Sequence, residues 1–252
     1  MRKNDTPTEN TDATPTTSTT PNSPLYDIRL SELVLFQNHQ LLVASKPVGI
    51  PTQADTTGDK PLHLLLEQYC KHPLYIVNRI DRPVSGLVVF AKTKQMLSAV
   101  VAQWQQRTVV KTYLAVVQHR PPKDADTLRH YLRKGRGSSR TVVFDTEAFD
   151  TAYSDLSYRL LAASDKYFLL EIKLHTGRHH QIRSQLSHIG CPIKGDVKYG
   201  ARRANPDRSI HLHAWKLDIA LPSQHEPYHF ETAPPNEPLW NYFAAQLDES
   251  AK

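Results

Sequence analysis

The run "GLVVFAK" at 86–92 places five apolar residues side by side. A strand with one wet face alternates polar and apolar residues, and this one does not. It is therefore predicted to be a strand buried on both faces. Immediately before it comes "VNRIDRPVS", which puts Asp81 between Arg79 and Arg82, ahead of a proline turn and at the edge of that buried strand. Flanking arginines favour the ionised carboxylate. Asp81 is thus a candidate nucleophile, or a stabiliser of developing positive charge, and a poor general acid. The alternative is an aspartate that caps the turn before Pro83 or pairs locally with an arginine.

Other segments read as elements around this strand. "LVLFQNHQLLVASKP" (33–47) predicts two short strands joined at Asn38-His39, and "KPVGIPTQ" (46–53) a rigid loop. Helices are expected over 61–72, over 94–108 with a stripe at Leu97, Val100, Val101 and Trp104, and over 178–190 with Ile182, Leu186 and Ile189 on one face and Gly190 as a stop. Strands are expected over 109–118, 150–164, 167–177 and 209–222. Strands outnumber helices and mostly lie next to each other, so the fold class is α+β with a mixed, largely antiparallel sheet. Residues 1–24 are rich in Thr, Asn and Pro and poor in large apolar side chains. They are expected to be a disordered polar tail before one catalytic domain at 25–247. There is no internal repeat and no heptad seam, so a monomer is expected.

Composition narrows the class. The formal charge is +6, which suits a polyanionic partner. No run of about 18 apolar residues occurs, so no membrane span is expected. Cys70 and Cys191 form no pair motif, and the N-terminus lacks an apolar signal core and carries Asp5, Glu9 and Asp12. These features fit a cytoplasmic protein.

Three further clusters can bear chemistry. In "LHTGRHHQIR" (174–183), a strand ends at a glycine turn that feeds a helix start, a geometry that suits an anion. Arg178 stands at the mouth of that turn, placed to reach a phosphate or to pair with a carboxylate such as Asp81. In "KTYLAV" (111–116), alternation puts Lys111 and Tyr113 on one face, where Tyr113 is either a stacking platform or an ordinary strand tyrosine. The basic segments 129–140, with Arg133, Lys134 and Arg136, and 194–208 read as mobile loops able to grip a phosphate backbone. His175, His179 and His180 lack metal-site spacing because a strand-to-helix break separates them, and His211 and His213 have no Cys or HExxH partner. No Walker A, Rossmann or GxSxG pattern appears, so neither a metal nor a cofactor is expected.

Taken in order, "KPVGIPTQ", "NRIDRPVSGLVVFAKT", "KTY" and "LHTGRHHQIRSQL", followed by "IGCPIKGDVKYG" and "LHAWKLDIALP", resemble the motifs of the RluA-type RNA pseudouridine synthases over roughly residues 28–222. The resemblance implies a mixed sheet split by a basic active-site cleft, and isomerisation of uridine in structured rRNA or tRNA without cofactor or metal. It implies that Asp81 is the catalytic carboxylate, that Tyr113 packs on the target uracil, and that Arg178 pairs with the carboxylate. Arg79, Arg82, Lys111, Arg133, Lys134, Arg136, His180 and Arg183 are the expected RNA-binding side chains. Two positions depart from the family pattern: Asn78 stands where histidine is usual, and His179 where threonine is usual. Many relatives carry an N-terminal S4 module; none is expected here, so RNA recognition falls to the catalytic domain. The rival readings are a non-catalytic RNA-binding protein or chaperone on the same fold, and a metal-dependent hydrolase using the histidines.

Overall fold

The structure is a computed structural model that describes residues 29–135, 137–220 and 226–250. The expected tail over 1–24 and Arg136 lie outside the described residues. A helical turn α1 (Leu30–Leu33) leads into the hairpin β1 (Val34–Gln37) and β2 (Leu41–Lys46). Asn38 makes the turn: its Oδ1 accepts from the Gln40 and Leu41 N–H groups at 2.8 Å each. Next come α2 (Leu62–Cys70), β3 (Tyr75–Ile76), β4 (Ser85–Ala91), α3 (Lys94–Gln106) and β5 (Val110–Val117). Then come β6 (Ala125–Lys134), β7 (Thr141–Phe144), β8 (Ala152–Ala163), β9 (Phe168–Leu174) and α4 (Gln181–His188). A 3-10 turn (Val197–Tyr199), β10 (Leu212–Ile219), β11 (Tyr228–Glu231) and α5 (Pro238–Ser250) complete the order.

The strands form one sheet in the order β1-β2-β4-β10-β5-β9-β8-β6-β7, with β3 on β4 and β11 on β10. β4 is buried at every position, as its unbroken apolar run requires. Its pairing with β10 is parallel, whereas the strands on either side pair antiparallel. That parallel contact is close. Gly86 pairs with Ala214 at φ +114°, and a Cβ there would lie 2.2 Å from the Ala214 carbonyl oxygen. Only glycine fits. His213 fixes the same junction. Its Nε2 faces the Thr232 carbonyl at 2.9 Å and must donate, so Nδ1 accepts from the Ser85 hydroxyl at 2.8 Å.

One core spans β2, β4, α2 and the inner faces of α3 and α4. In α3 the buried residues are Met96 and Val100, with Leu97 and Trp104 partly buried beside them. A second core forms where Trp240 and Phe243 of α5 pack on Leu114, Val116 and Leu169. The mixed, mostly antiparallel α+β sheet matches the sequence expectation.

The basic segments differ from it. Residues 129–134 belong to β6, which pairs with both β7 and β8, so this part of the segment is strand and not loop. The alternating apolar positions Leu128 and Leu132, both buried, carry the strand signal that the cations masked. Segment 194–208 is likewise held. Lys194 Nζ donates to Asn205 Oδ1 at 2.8 Å, and Asp196, Tyr199 and Ala201 are buried.

Candidate active site

Asp81 lies in the loop between β3 and β4, beside the sheet's parallel junction. The loop turns back on itself, with Val84 N–H donating to the Asp81 carbonyl at 3.0 Å. Lys46 anchors it from below. This lysine is fully buried, and its Nζ donates to the carbonyls of Pro47, Ile50 and Arg82 at 2.8, 2.9 and 3.2 Å. It thereby ties the Pro/Gly loop to the Asp81 loop. Burial pushes the Lys46 ammonium down to about 7, opposed by the nearby Asp81 charge.

The cation on Asp81 comes from far along the chain. Arg183 Nη1 donates to Asp81 Oδ2 at 2.7 Å. The rest of the guanidinium forks onto Asp196, with Nε to Oδ2 at 2.7 Å and Nη2 to Oδ1 at 2.9 Å. The Arg183 and Asp196 side chains are only 6 % and 1 % exposed, so this is a buried ion triad with one partly open end. Burial lowers the Arg183 proton affinity, but the two carboxylates more than offset it and the net shift is upward. Arg183 stays charged, and Asp81, 29 % exposed, is the solvent-facing end of the triad.

A second group orients Asp81. The Tyr199 hydroxyl accepts from Thr141 N–H at 2.7 Å and lies 2.8 Å from His180 Nδ1. Nε2 lies 3.4 Å from Asp81 Oδ2, an acceptor, so the neutral ring carries its proton there and Nδ1 accepts from the Tyr199 hydroxyl. His180 is neutral: burial pushes it down to about 3, against the opposing pull of Asp81. It stands at the N-terminus of α4 in the left-handed region, φ 51°. Gln181 closes the turn before it, accepting from Arg178 N–H at 3.0 Å and the Thr176 hydroxyl at 2.8 Å, which shortens the helix to 181–188. The expected anion-binding N–H of Arg178 is used internally.

Tyr113 occupies β5, opposite Ala214 on one side and Ile172 on the other. Its hydroxyl is pushed up by burial and by the Asp81 charge, so it is a neutral phenol at any physiological pH. Lys111 shares its strand face and is half-buried, its ammonium lowered by burial and then by Arg107.

Several expected roles move. Arg178 does not hold the carboxylate; it is exposed and its Nε donates to the Tyr153 carbonyl at 3.4 Å. Pairing belongs to Arg183, because α4 turns position 183 inward and leaves 178 in the preceding turn. Arg82 is directed away from Asp81 and bonds Asp55 at 3.0 Å and Asp59 at 2.6 Å. Arg133 donates to the Phe149 carbonyl at 2.9 Å and lies over the Phe144 ring. Thus His180, Arg183, Arg82 and Arg133, all expected on RNA, use donors inside the protein. Arg79 and Lys134 are exposed. Arg140, over the Tyr199 ring at 5.5 Å, and Lys198, which bonds Ser139, add cations to the rim that sequence reasoning did not single out. Lys46, Asp196 and Tyr199 were also missed; their signal was a charged or polar residue inside an otherwise quoted motif.

The two departures have local explanations. Asn78 accepts from Val89 N–H at 2.7 Å and donates to the Leu87 carbonyl at 3.4 Å, stitching the loop to β4. His179 stacks on His180 with centroids 3.7 Å apart and reaches the Thr141 hydroxyl at 3.0 Å. The histidines considered as metal ligands do not converge. His175 bonds Ser157, His179 bonds Thr141, and His180 bonds Tyr199.

This fold is shared with solved RNA pseudouridylate synthase domains. The human RNA pseudouridylate synthase domain containing 4 superposes with a TM-score of 0.68 at 25 % identity, covering 87 % of this chain and 94 % of that one. A second human protein, RNA pseudouridylate synthase domain containing 1, gives a TM-score of 0.69 at 22 % identity over 86 % and 93 %. The family model for RNA pseudouridylate synthase matches residues 40–188, and the chain belongs to that family, in its RluA-type branch. A ribosomal large subunit pseudouridine synthase C from Rickettsia felis is 30 % identical over 192 residues, 73 % of this chain and 61 % of that protein. A ribosomal large subunit pseudouridine synthase D from Nitrosomonas europaea is 33 % identical over 225 residues, 81 % and 62 %. This chain thus spans about six tenths of the length of these two relatives. No helix among the described residues is long and apolar enough to cross a membrane.

Proposed function

We propose that this protein isomerises uridine to pseudouridine in ribosomal RNA, with Asp81 as the catalytic carboxylate. The observation that carries this reading is a carboxylate fixed by a buried arginine and left open on one side, beside a neutral tyrosine on the central sheet. Breaking the N1–C1′ bond builds positive character on C1′, which an ionised carboxylate stabilises by direct attack or by its field. The released uracil turns in place, C5 bonds to C1′, the C5 proton leaves, and N1 gains a proton. The sum is an isomerisation in which no electrons are gained or lost.

Arg183 and His180 aim Asp81. Tyr113, as a neutral phenol, acts by packing on the base and by hydrogen bonding, not as a phenolate. A stacked uridine must leave its helix to reach Asp81, at a cost of a few kcal/mol. Arg79, Lys111, Lys134, Arg140 and Lys198 are the cations proposed to hold the flanking phosphates. The ribosomal assignment rests on the two named relatives.

The test is tritium release from large-subunit rRNA and from tRNA, both lacking pseudouridine and labelled at uridine C5. Release from rRNA by wild type, and none by Asp81→Asn, is the expected result. Release from tRNA alone overturns the substrate assignment. RNA binding with no release from either RNA overturns the enzymatic reading in favour of a non-catalytic RNA binder.

A further inference from the structure

Away from Asp81, three side chains that are distant in sequence meet at the base of the β6–β7 hairpin. The hairpin register pairs Tyr131 with Phe144, which places His130 opposite Asp145. His188, at the last position of α4, closes on the same point. His188 Nε2 is 2.8 Å from Asp145 Oδ1, His130 Nε2 is 3.8 Å from it, and the three ligand atoms all lie within 4.8 Å of one another. A tetrahedral Zn(II) with bonds of about 2.0–2.1 Å separates its ligand atoms by about 3.3 Å. The two nitrogen–oxygen distances bracket that value.

The imidazoles cross edge to face at 78°, with both Nε2 atoms turned to the carboxylate. Two imidazoles and one carboxylate are a donor set for borderline divalent ions.

Behind His130 lies Gln185, which any metal on that ring must accommodate. Gln185 is fully buried, its Oε1 has no partner, and its amide nitrogen sits 2.9 Å from His130 Nδ1. That nitrogen also faces the Leu128 and Ser154 carbonyls at 3.3 and 3.4 Å, three acceptors for two hydrogens. A metal on His130 Nε2 places the ring proton on Nδ1, which then needs an acceptor. Metal on Nε2 therefore requires the Gln185 amide to swing off Nδ1, because a simple half-turn would set its Oε1 against the Leu128 and Ser154 carbonyl oxygens.

We propose that His130, Asp145 and His188 form a site for a divalent transition-metal ion, here probed as Zn(II), with water as the fourth ligand. The ion clamps the β6–β7 hairpin to α4. The hairpin presents Lys134 and Arg140, and α4 holds Arg183 on Asp81, so the clamp joins the RNA-facing hairpin to the helix that aims the carboxylate. The role is structural and stands whether or not the protein isomerises uridine.

The whole chain, stripped with EDTA and dialysed, is titrated with ZnCl2 by calorimetry. Uptake of one equivalent with a Kd below about 10 µM is expected for such a three-ligand site. At free Zn(II) about 100 times Kd, Tm rises by roughly 5–10 °C. Asp145 and His188 side chains are 76 % and 34 % exposed, so Asp145→Asn and His188→Gln are expected to fold and keep their metal-free Tm. Each should bind Zn(II) at least tenfold more weakly, and the double variant should show no Tm response. Wild type with Co(II) should give the visible absorption of a four-coordinate nitrogen/oxygen site. No stoichiometric uptake by wild type, a featureless Co(II) spectrum, or equal Zn(II) affinity in the double variant would each overturn the proposal. Any of these leaves His188 as a simple hydrogen-bond partner of Asp145.

Discussion

Replacing Arg183 by leucine removes the charge that joins Asp81 to Asp196 and strands the buried one of the two carboxylates. Asp196, 1 % exposed, keeps its burial and loses both hydrogen bonds to the guanidinium. Stranding one partner of a buried ion pair costs about 3–5 kcal/mol. The guanidinium also sits 5.0 Å over the Tyr199 ring, worth about 0.5–1 kcal/mol more. The sum, roughly 4–6 kcal/mol, is a large part of an ordinary domain's 5–15 kcal/mol. It corresponds to a fall in Tm of roughly 10–20 °C.

A second variant separates charge from packing. Arg183→Leu with Asp196→Leu removes the stranded carboxylate and fills the space with apolar atoms. It should recover about 2–4 kcal/mol relative to Arg183→Leu alone, read by urea unfolding of all four members of the cycle. Tritium release should not recover. Asp81 keeps its carboxylate but loses the fork that aims it, and misplacing a reacting group by about 1 Å costs on the order of 10²-fold. If the double variant is no more stable than the single one, the ion-triad account of this interior is wrong. If Arg183→Leu releases tritium within threefold of wild type, Arg183 does not position Asp81.

Other contacts make three more outcomes testable. Lys46 titrates near 7 when folded and near 10.5 when unfolded, so the unfolded chain binds more protons between those values and stability should rise from pH 7 to pH 10; Lys46→Met should flatten that rise in urea unfolding, and an unchanged slope would refute the buried-cation reading. Tyr113→Phe keeps the ring and should bind RNA within about twofold while releasing tritium at least 10²-fold more slowly; because burial and Asp81 push the hydroxyl up, the wild-type rate should show no tyrosine inflection up to pH 10, and one near pH 8–9 that Phe abolishes would contradict this. Gly86→Ala drives a methyl into the Ala214 backbone at φ +114° and should cost more than about 3 kcal/mol, whereas Gly58→Ala, at φ +79° with nothing within 4 Å, should cost about 1 kcal/mol by thermal unfolding.

Some of this was legible in the sequence because it is written locally. An unbroken apolar run can only be a covered strand, and β4 is one. A polar Asn-His pair between apolar runs makes a turn, and Asn38 makes it. Asp81 could be singled out because a carboxylate at the end of such a strand is costly without a reason. What stayed hidden depends on pairing across the chain. Asp81 and Arg183 are 102 residues apart, and no spacing rule links them. The same holds for His130, Asp145 and His188. The cations at 129–134 hid a strand because local charge density outweighed a two-residue period of buried positions at Leu128, His130 and Leu132.

The expectation for Arg82 rested on sequence adjacency to Asp81, whereas that for Arg178 rested on its place at the mouth of the turn before α4 and on the family resemblance. Charge next to Asp81 in sequence suggested charge next to it in space, but a loop residue's neighbours point wherever their own partners are. Arg82 found Asp55 and Asp59 on an exposed loop, where water screens the pairs. The arginine that matters had to come from a helix, because only a side chain anchored in the core can hold a carboxylate still from beneath. Arg183 meets that demand by spending two of its nitrogens on buried Asp196 and offering the third to Asp81. A carboxylate aimed this way needs no help from its flanking residues. Of those, Arg79 is exposed and is one of the cations proposed to hold the RNA backbone.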